Sequence, residues 1–154
     1  MAHSDKRTGA GYLRMGVELT VDFIVMYLVM YTMIATLAHF HFNLNNIYMT
    51  LMMLAPMAAI MLVSMRAMFP SARANLAICA GAVVVFSLSF VGMRMQAGVG
   101  DAEFLRSMIP HHSGAILMCQ RASLTDPDIL ALCRNIVASQ ENEIAEMQQM
   151  LKRY

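Results

Sequence analysis

The sequence predicts an all-α membrane protein in which three transmembrane helices precede a two-helix hairpin. Three observations carry this. Of its residues 58% are apolar and only 14% charged, with a mean hydropathy of +0.55. Three stretches of about twenty residues are almost free of charge, and the last fifty residues repeat apolar positions with the period of a helix. Charge is unevenly spread, residues 1–100 carrying a net +3 and residues 101–154 a net −2. A total of +1 leaves no basic surface for a nucleic-acid backbone, so nucleic acid is not an expected partner.

Val17–Ala38 is apolar apart from Glu18, Thr20, Asp22, Thr32, Thr36 and its tyrosines. As a helix it would reach about 33 Å, enough for a hydrocarbon core of about 30 Å. Ile47–Met65 and Asn75–Met93 contain no charged residue and are also long enough to cross. The first stretch carries two acids and is followed by two more of similar length, which disfavours a cleaved signal peptide. Lys6, Arg7 and Arg14 precede the first span, and Arg66 and Arg73 bound the link between the second and third. The His39–Asn46 link has no Lys or Arg. The positive-inside bias therefore predicts a cytoplasmic tail at 1–16, a membrane region at 17–97 and an external hairpin at 98–154. The expected location is a bacterial cytoplasmic membrane, crossed several times, with the lipid bilayer as a partner.

Gly98 and Gly100 interrupt the pattern, and Asp101 opens a helix expected to run to about Ser123. Asp126-Pro127 supplies a cap and a proline at the first helical position of a second helix, expected to run to about Lys152. Leu105, Met108, Ala115, Cys119 and Ala122 recur on one face of the first, and Ile129, Cys133, Ile136, Ile144, Met147 and Leu151 on one face of the second. Two helices of this size are marginal alone. The hairpin should rest on the membrane helices or pair with a copy of itself, completing a four-helix bundle as a homodimer or higher homo-oligomer.

An antiparallel pair turning near residue 126 sets Cys119 level with Cys133, His112 with Gln140 and Met108 with Ile144, to within about a turn. His111 lies about 100° round from His112, on the side of Met108, Ala115 and Met118, while Gln140, Glu143 and Met147 share a face of the partner helix. Imidazoles among thioethers and a carboxylate form a soft or borderline metal site. With 18 methionines in the chain, copper is favoured, Cu(I) first, with Cu(II) or Ag(I) as alternatives and zinc or iron behind them. Pro110 should kink the helix beside the histidines. The competing reading of His111 and His112 is a structural polar layer.

Phe104-Leu105, Met108-Ile109-Pro110-His111-His112, Ala115 and Met118, followed after the turn by Ile136, Gln140, Glu143-Ile144 and Met147, resemble a bacterial family known only as domain of unknown function 305. The resemblance covers about residues 101–150. It implies a ferritin-like helical domain in a family with members associated with copper and silver binding outside the cytoplasm. Residue by residue it places His111, His112, Met108, Met118, Gln140, Glu143 and Met147 on the metal-binding motif. Larger secreted members often hold the His-His unit twice and this chain holds it once, so self-association is the natural substitute for the missing half.

Other features stay open at this level. Cys119 and Cys133 can form a disulfide, remain core thiols or bind a soft metal, and Cys79 reads as a buried small hydrophobe. Met49, Met53, Met57, Met61 and Met65 recur every fourth residue, with Met26, Met30 and Met33 on the first span, as packing or as a soft-metal path. Glu18 and Asp22 need partners from Arg14, Arg66 or Arg73, or else form an ion entry. His39 and His41 belong to an interfacial loop anchored by Phe40, Phe42 and Tyr48, or reach the hairpin. No phosphate loop, serine elbow or His-Glu-x-x-His signature is present, so catalysis is not expected beyond a weak case for copper redox. Sequestration or relay of a soft metal, a metal-free structural or sensory module, and a small oligomeric transporter are the three functions in play.

Overall fold

A computed structural model describes residues 2–154, with side chains from Gly9 onward. Its regular elements are all helical: α1 (Ala2–Val29), two short 3-10 turns (Met30–Met33 and Leu37–His39), α2 (Leu44–Ser64), α3 (Ala72–Arg94), α4 (Asp101–Arg121) and α5 (Pro127–Leu151). The chain divides into two units. One is made of the chain through Leu28 together with Ile47–Ala97, and the other of Val29–Asn46 together with Gly98–Tyr154.

In the first unit Met15 of α1 is buried with Ala58 and Leu62 of α2 and Phe69 of the following link, while Ile78 and Cys79 of α3 pack against them. Gly11 permits the close approach, because a Cβ there would lie 2.8 Å from the Met68 carbonyl oxygen. Tyr12 donates to Asn75 Oδ1 at 2.8 Å, and the Asn75 amide donates to the Phe69 carbonyl at 2.9 Å. Ser71 caps α3 by accepting from the Ala74 amide. Cys79 is half-buried rather than buried. Glu18 finds its partner within α1, 2.8 Å from Arg14 Nε.

Two of the three expected spans stand as candidates for crossing. Among the described residues only α2 and α3 are long and apolar enough to cross a membrane, and their outer side chains are bare, Val63 being 74% and Leu76 72% exposed. The first apolar stretch does not stay helical to Ala38. Thr32 Oγ1 bonds the Val29 carbonyl at 2.8 Å, a side chain competing for the backbone at the point where α1 ends. Tyr31 donates to the His41 carbonyl at 2.6 Å, and the chain turns extended at Ile34. What remains of α1 carries Arg14, Glu18 and Asp22 among its apolar residues. The methionine stripe of α2 also divides, Met61 packing inward while Met49, Met53 and Met65 are exposed.

The second unit is the α4–α5 hairpin with a strap of preceding chain across it. Leu105, Ile109, Ile116, Ile144 and Met147 form its core, joined by Met108, Val137, Leu151 and, from the strap, Ala35. Ile109 is wholly buried, which alone contributes about 1.5–3 kcal/mol. Asp126 caps α5 by accepting from the Asp128 and Ile129 amides, with Pro127 opening the helix as expected. Tyr154 closes the far end by donating to Asp101 Oδ2. Pro110 does not break α4, which runs continuously from Asp101 to Arg121. Gly98 holds φ +74 in the turn before α4, where a side chain would be strained.

Cys119 and Cys133 are joined in a disulfide across the hairpin, their Cα atoms 5.3 Å apart. The bond closes a loop of 14 residues, worth about 3 kcal/mol in the chain-entropy account. C119S/C133S should therefore lower the stability of this unit by about 3 kcal/mol. Urea unfolding of the full chain, followed by helical circular dichroism with and without reductant, measures it, and reductant should have no further effect on the variant.

Candidate metal centre on the helical hairpin

His112 is placed by its own helix. Its Nδ1 lies 2.9 Å from the Met108 carbonyl one turn back, and since a carbonyl only accepts, Nδ1 carries the proton there. The ring is thereby fixed with Nε2 directed across the seam to α5, where it meets Glu143 Oε2 at 2.8 Å. The His112 side chain is 11% exposed and that of Glu143 47%, so the pair sits at the seam's edge.

Glu143 is held by its own helix as well. Ser139, one turn earlier, donates to Oε1 at 2.7 Å, and the Gln140 amide approaches Oε2 at 3.4 Å. The Ser139 hydroxyl first, and then His112, hold the Glu143 carboxyl below the usual glutamate range, burial opposing them. His111 is exposed on the outer side of α4, its ring 6.0 Å from that of His112 between centroids and tilted by 66°. The site thus offers one anchored imidazole, one carboxylate and a second imidazole nearby.

The seven expected residues separate into three groups. His112, Glu143 and Gln140 are brought together, with His111 beside them. Met108 contributes its carbonyl to the site, while its side chain and that of Met147 pack in the apolar core. Met118 is 59% exposed and outside the group. Among the described residues no three His, Cys, Asp or Glu side chains gather as a ready metal cage.

The strap bearing His39 and His41 does reach the hairpin, the second of the readings open for those residues. Ser113, fully buried next to His112, accepts the Ala35 amide at 2.7 Å and lies 2.8 Å from His39 Nδ1. Leu44 donates its amide to Glu103, which also pairs with Arg106. Burial pushes the His39 ring below its ordinary value, and burial, Arg106 and His39 do the same for His41. His41 Nε2 is buried and has no hydrogen-bond partner among the described residues. Sequence reasoning missed Ser139 and Ser113. Ser139 stands four residues before Glu143, a helical spacing that signals such a bond; Ser113 gives no local signal, because its partners lie more than seventy residues away.

Comparison with known proteins bears on this unit. The family model described as Domain of unknown function (DUF305) matches residues 92–151, which include all of α4 and α5. The uncharacterized protein L153 of Acanthamoeba polyphaga mimivirus is 33% identical over 111 residues, 71% of each chain. The chain belongs to the DUF305 family. The alignment with the viral relative covers 111 residues and the DUF305 match 60, so at least 51 aligned residues lie outside that match and the likeness extends beyond the hairpin. No solved structure matches.

Two outcomes follow for the DUF305 unit. S113A would leave the half-buried Ala35 amide without its acceptor and should cost about 1 kcal/mol, read as faster hydrogen exchange at Ala35 while the α4–α5 amides stay protected. The pH dependence has two parts. The lowered His39 and His41 favour the neutral rings in the fold, so their contribution is complete above about pH 6.5 and is lost as pH falls through their lower folded values. Glu143 contributes fully above about pH 4.3 and loses that contribution as pH falls through its depressed value. Acid titration followed by exchange should show the strap loosening before the hairpin, with E143Q abolishing the lower step.

Proposed function

We propose that this DUF305 protein is a membrane-anchored metal-binding protein that sequesters or relays copper at the outer face of a cytoplasmic membrane. The observation that carries the reading is the His112 ring, locked by its Nδ1 proton on a backbone carbonyl so that Nε2 faces a carboxylate on the opposite helix. That is how proteins orient an imidazole ligand. His112 and Glu143 would hold the ion, with His111 as the adjacent donor and Gln140 and Ser139 steadying the carboxylate. Nitrogen and oxygen donors favour Cu(II), which exceeds the other divalent first-row ions at such sites. The core packing of Met108 and Met147 weakens the case for Cu(I) or Ag(I) at this point. Bound copper would supply a Lewis acid and a one-electron couple.

Orientation follows from α2 and α3 as an out-and-back pair. Residues before Leu44 and after Arg94 then share one side, whether or not α1 crosses. Arg66 and Arg73 at the opposite end favour a cytoplasmic link and an external strap and hairpin, and Lys6, Arg7 and Arg14 add to this arrangement only with α1 as a third crossing. The Cys119–Cys133 disulfide suits an oxidising space.

A second reading has support of its own. The 2.8 Å His112–Glu143 contact, with two of the expected thioethers in the core, also fits a metal-free polar pin between helices. Equilibrium copper binding with elemental analysis separates the two. On the metal reading the full chain binds copper, H111A/H112A weakens binding at least tenfold, and acidification releases the ion as imidazole and carboxylate take up protons. On the pin reading metal content is the same in both chains and the variant loses only stability.

A further inference from the structure

The face of α5 turned away from His112 and Glu143 carries a row of residues whose spacing is the same in both directions. Leu130, Arg134, Val137, Ala138, Glu141 and Ala145 fall within about 100° of arc on the helix. The row is centred between Val137 and Ala138. About that centre Leu130 mirrors Ala145, Arg134 mirrors Glu141, and Val137 mirrors Ala138. Arg134, Ala138, Glu141 and Ala145 are exposed, and a groove of about 320 Å³ beside the disulfide is lined by Leu130, Arg134, Val137, Ala138 and Glu141. No ion pair engages Arg134 or Glu141 among the described residues. Seven residues separate them, about 10.5 Å along the helix, too far for an easy bond within α5.

Two antiparallel copies of a helix related by a two-fold axis set residue i opposite residue j and j opposite i. We propose that a second copy of this chain docks on this face, α5 against α5 and antiparallel. The partner's Arg134 then meets Glu141 and the partner's Glu141 meets Arg134, around an apolar centre made of Val137 and Ala138. The small Ala138 lets the helices approach to the 8–10 Å of packed pairs. A parallel pairing is disfavoured because it would bring like charges together at both positions. Glu143 is about 200° round the helix from Glu141, so this interface stands independently of the metal reading. Confinement of both chains to one membrane would raise their effective concentration and let a modest helix pair suffice.

Charge reversal tests it on the full chain in detergent, with mass from sedimentation and helicity by circular dichroism as the folding check. The wild type should dimerise. R134E and E141R should each weaken dimerisation about tenfold, because each places two like-charge contacts in the interface. R134E/E141R should return to within about threefold of the wild type, and an equimolar mixture of the two single variants should form the heterodimer, whose charges are again complementary. A monomeric wild type, single variants that dimerise like the wild type, or a double variant as weak as the singles would each overturn the proposal.

Discussion

Two helices of 21 and 25 residues enclose too little volume to hold a core of their own. The α4–α5 hairpin meets this constraint by borrowing surface. Chain leading into α2 lies across it as a strap, adds Ala35 to the cluster around Ile109 and Ile144, and delivers an amide and an imidazole to the buried Ser113 hydroxyl of α4. Ser113 is a weak helix former with a polar group in an apolar seam, and it is tolerated because both needs of its hydroxyl are met. The opposite edge of α4 is left to His112. Strap and candidate metal centre therefore occupy adjacent residues of one helix turn.

Charge is arranged on the same principle of local satisfaction. Glu143 takes donors from Ser139 and Gln140 on its own helix before it meets His112. Glu103 joins the start of α2 to α4 while pairing with Arg106. Each carboxylate reaches its cross-chain contact already positioned, and the entropy cost of ordering it is met within the helix.

Helix positions were legible where short-range rules apply. Asp126-Pro127 marks the start of α5, and the run of uncharged residues marks α2 and α3, because caps and apolar length are read from neighbours. Equal distance from the turn brought Cys119 to Cys133 and set His112 within a turn of its partner. The end of α1 was not legible. Apolar content continues through Ala38, whereas the helix stops where Thr32 bonds back to the Val29 carbonyl and Tyr31 reaches forward to the His41 carbonyl. The thioethers misled for a related reason, since spacing on a helix says which face a methionine shares and not whether the face is closed by a core. Met108 and Met147 face inward to Ile109 and Ile144, and Met118 faces out.

The strap has a consequence in time. The Ala35 amide and the Ser113 hydroxyl are separated by 78 residues, with both apolar helices between them. At a synthesis rate of about 5–20 residues per second the strap emerges about 4–16 s before its acceptor exists. Through that interval the amide has no Ser113 hydroxyl to bond, so the helical unit is completed last, after the whole of the intervening chain has been made.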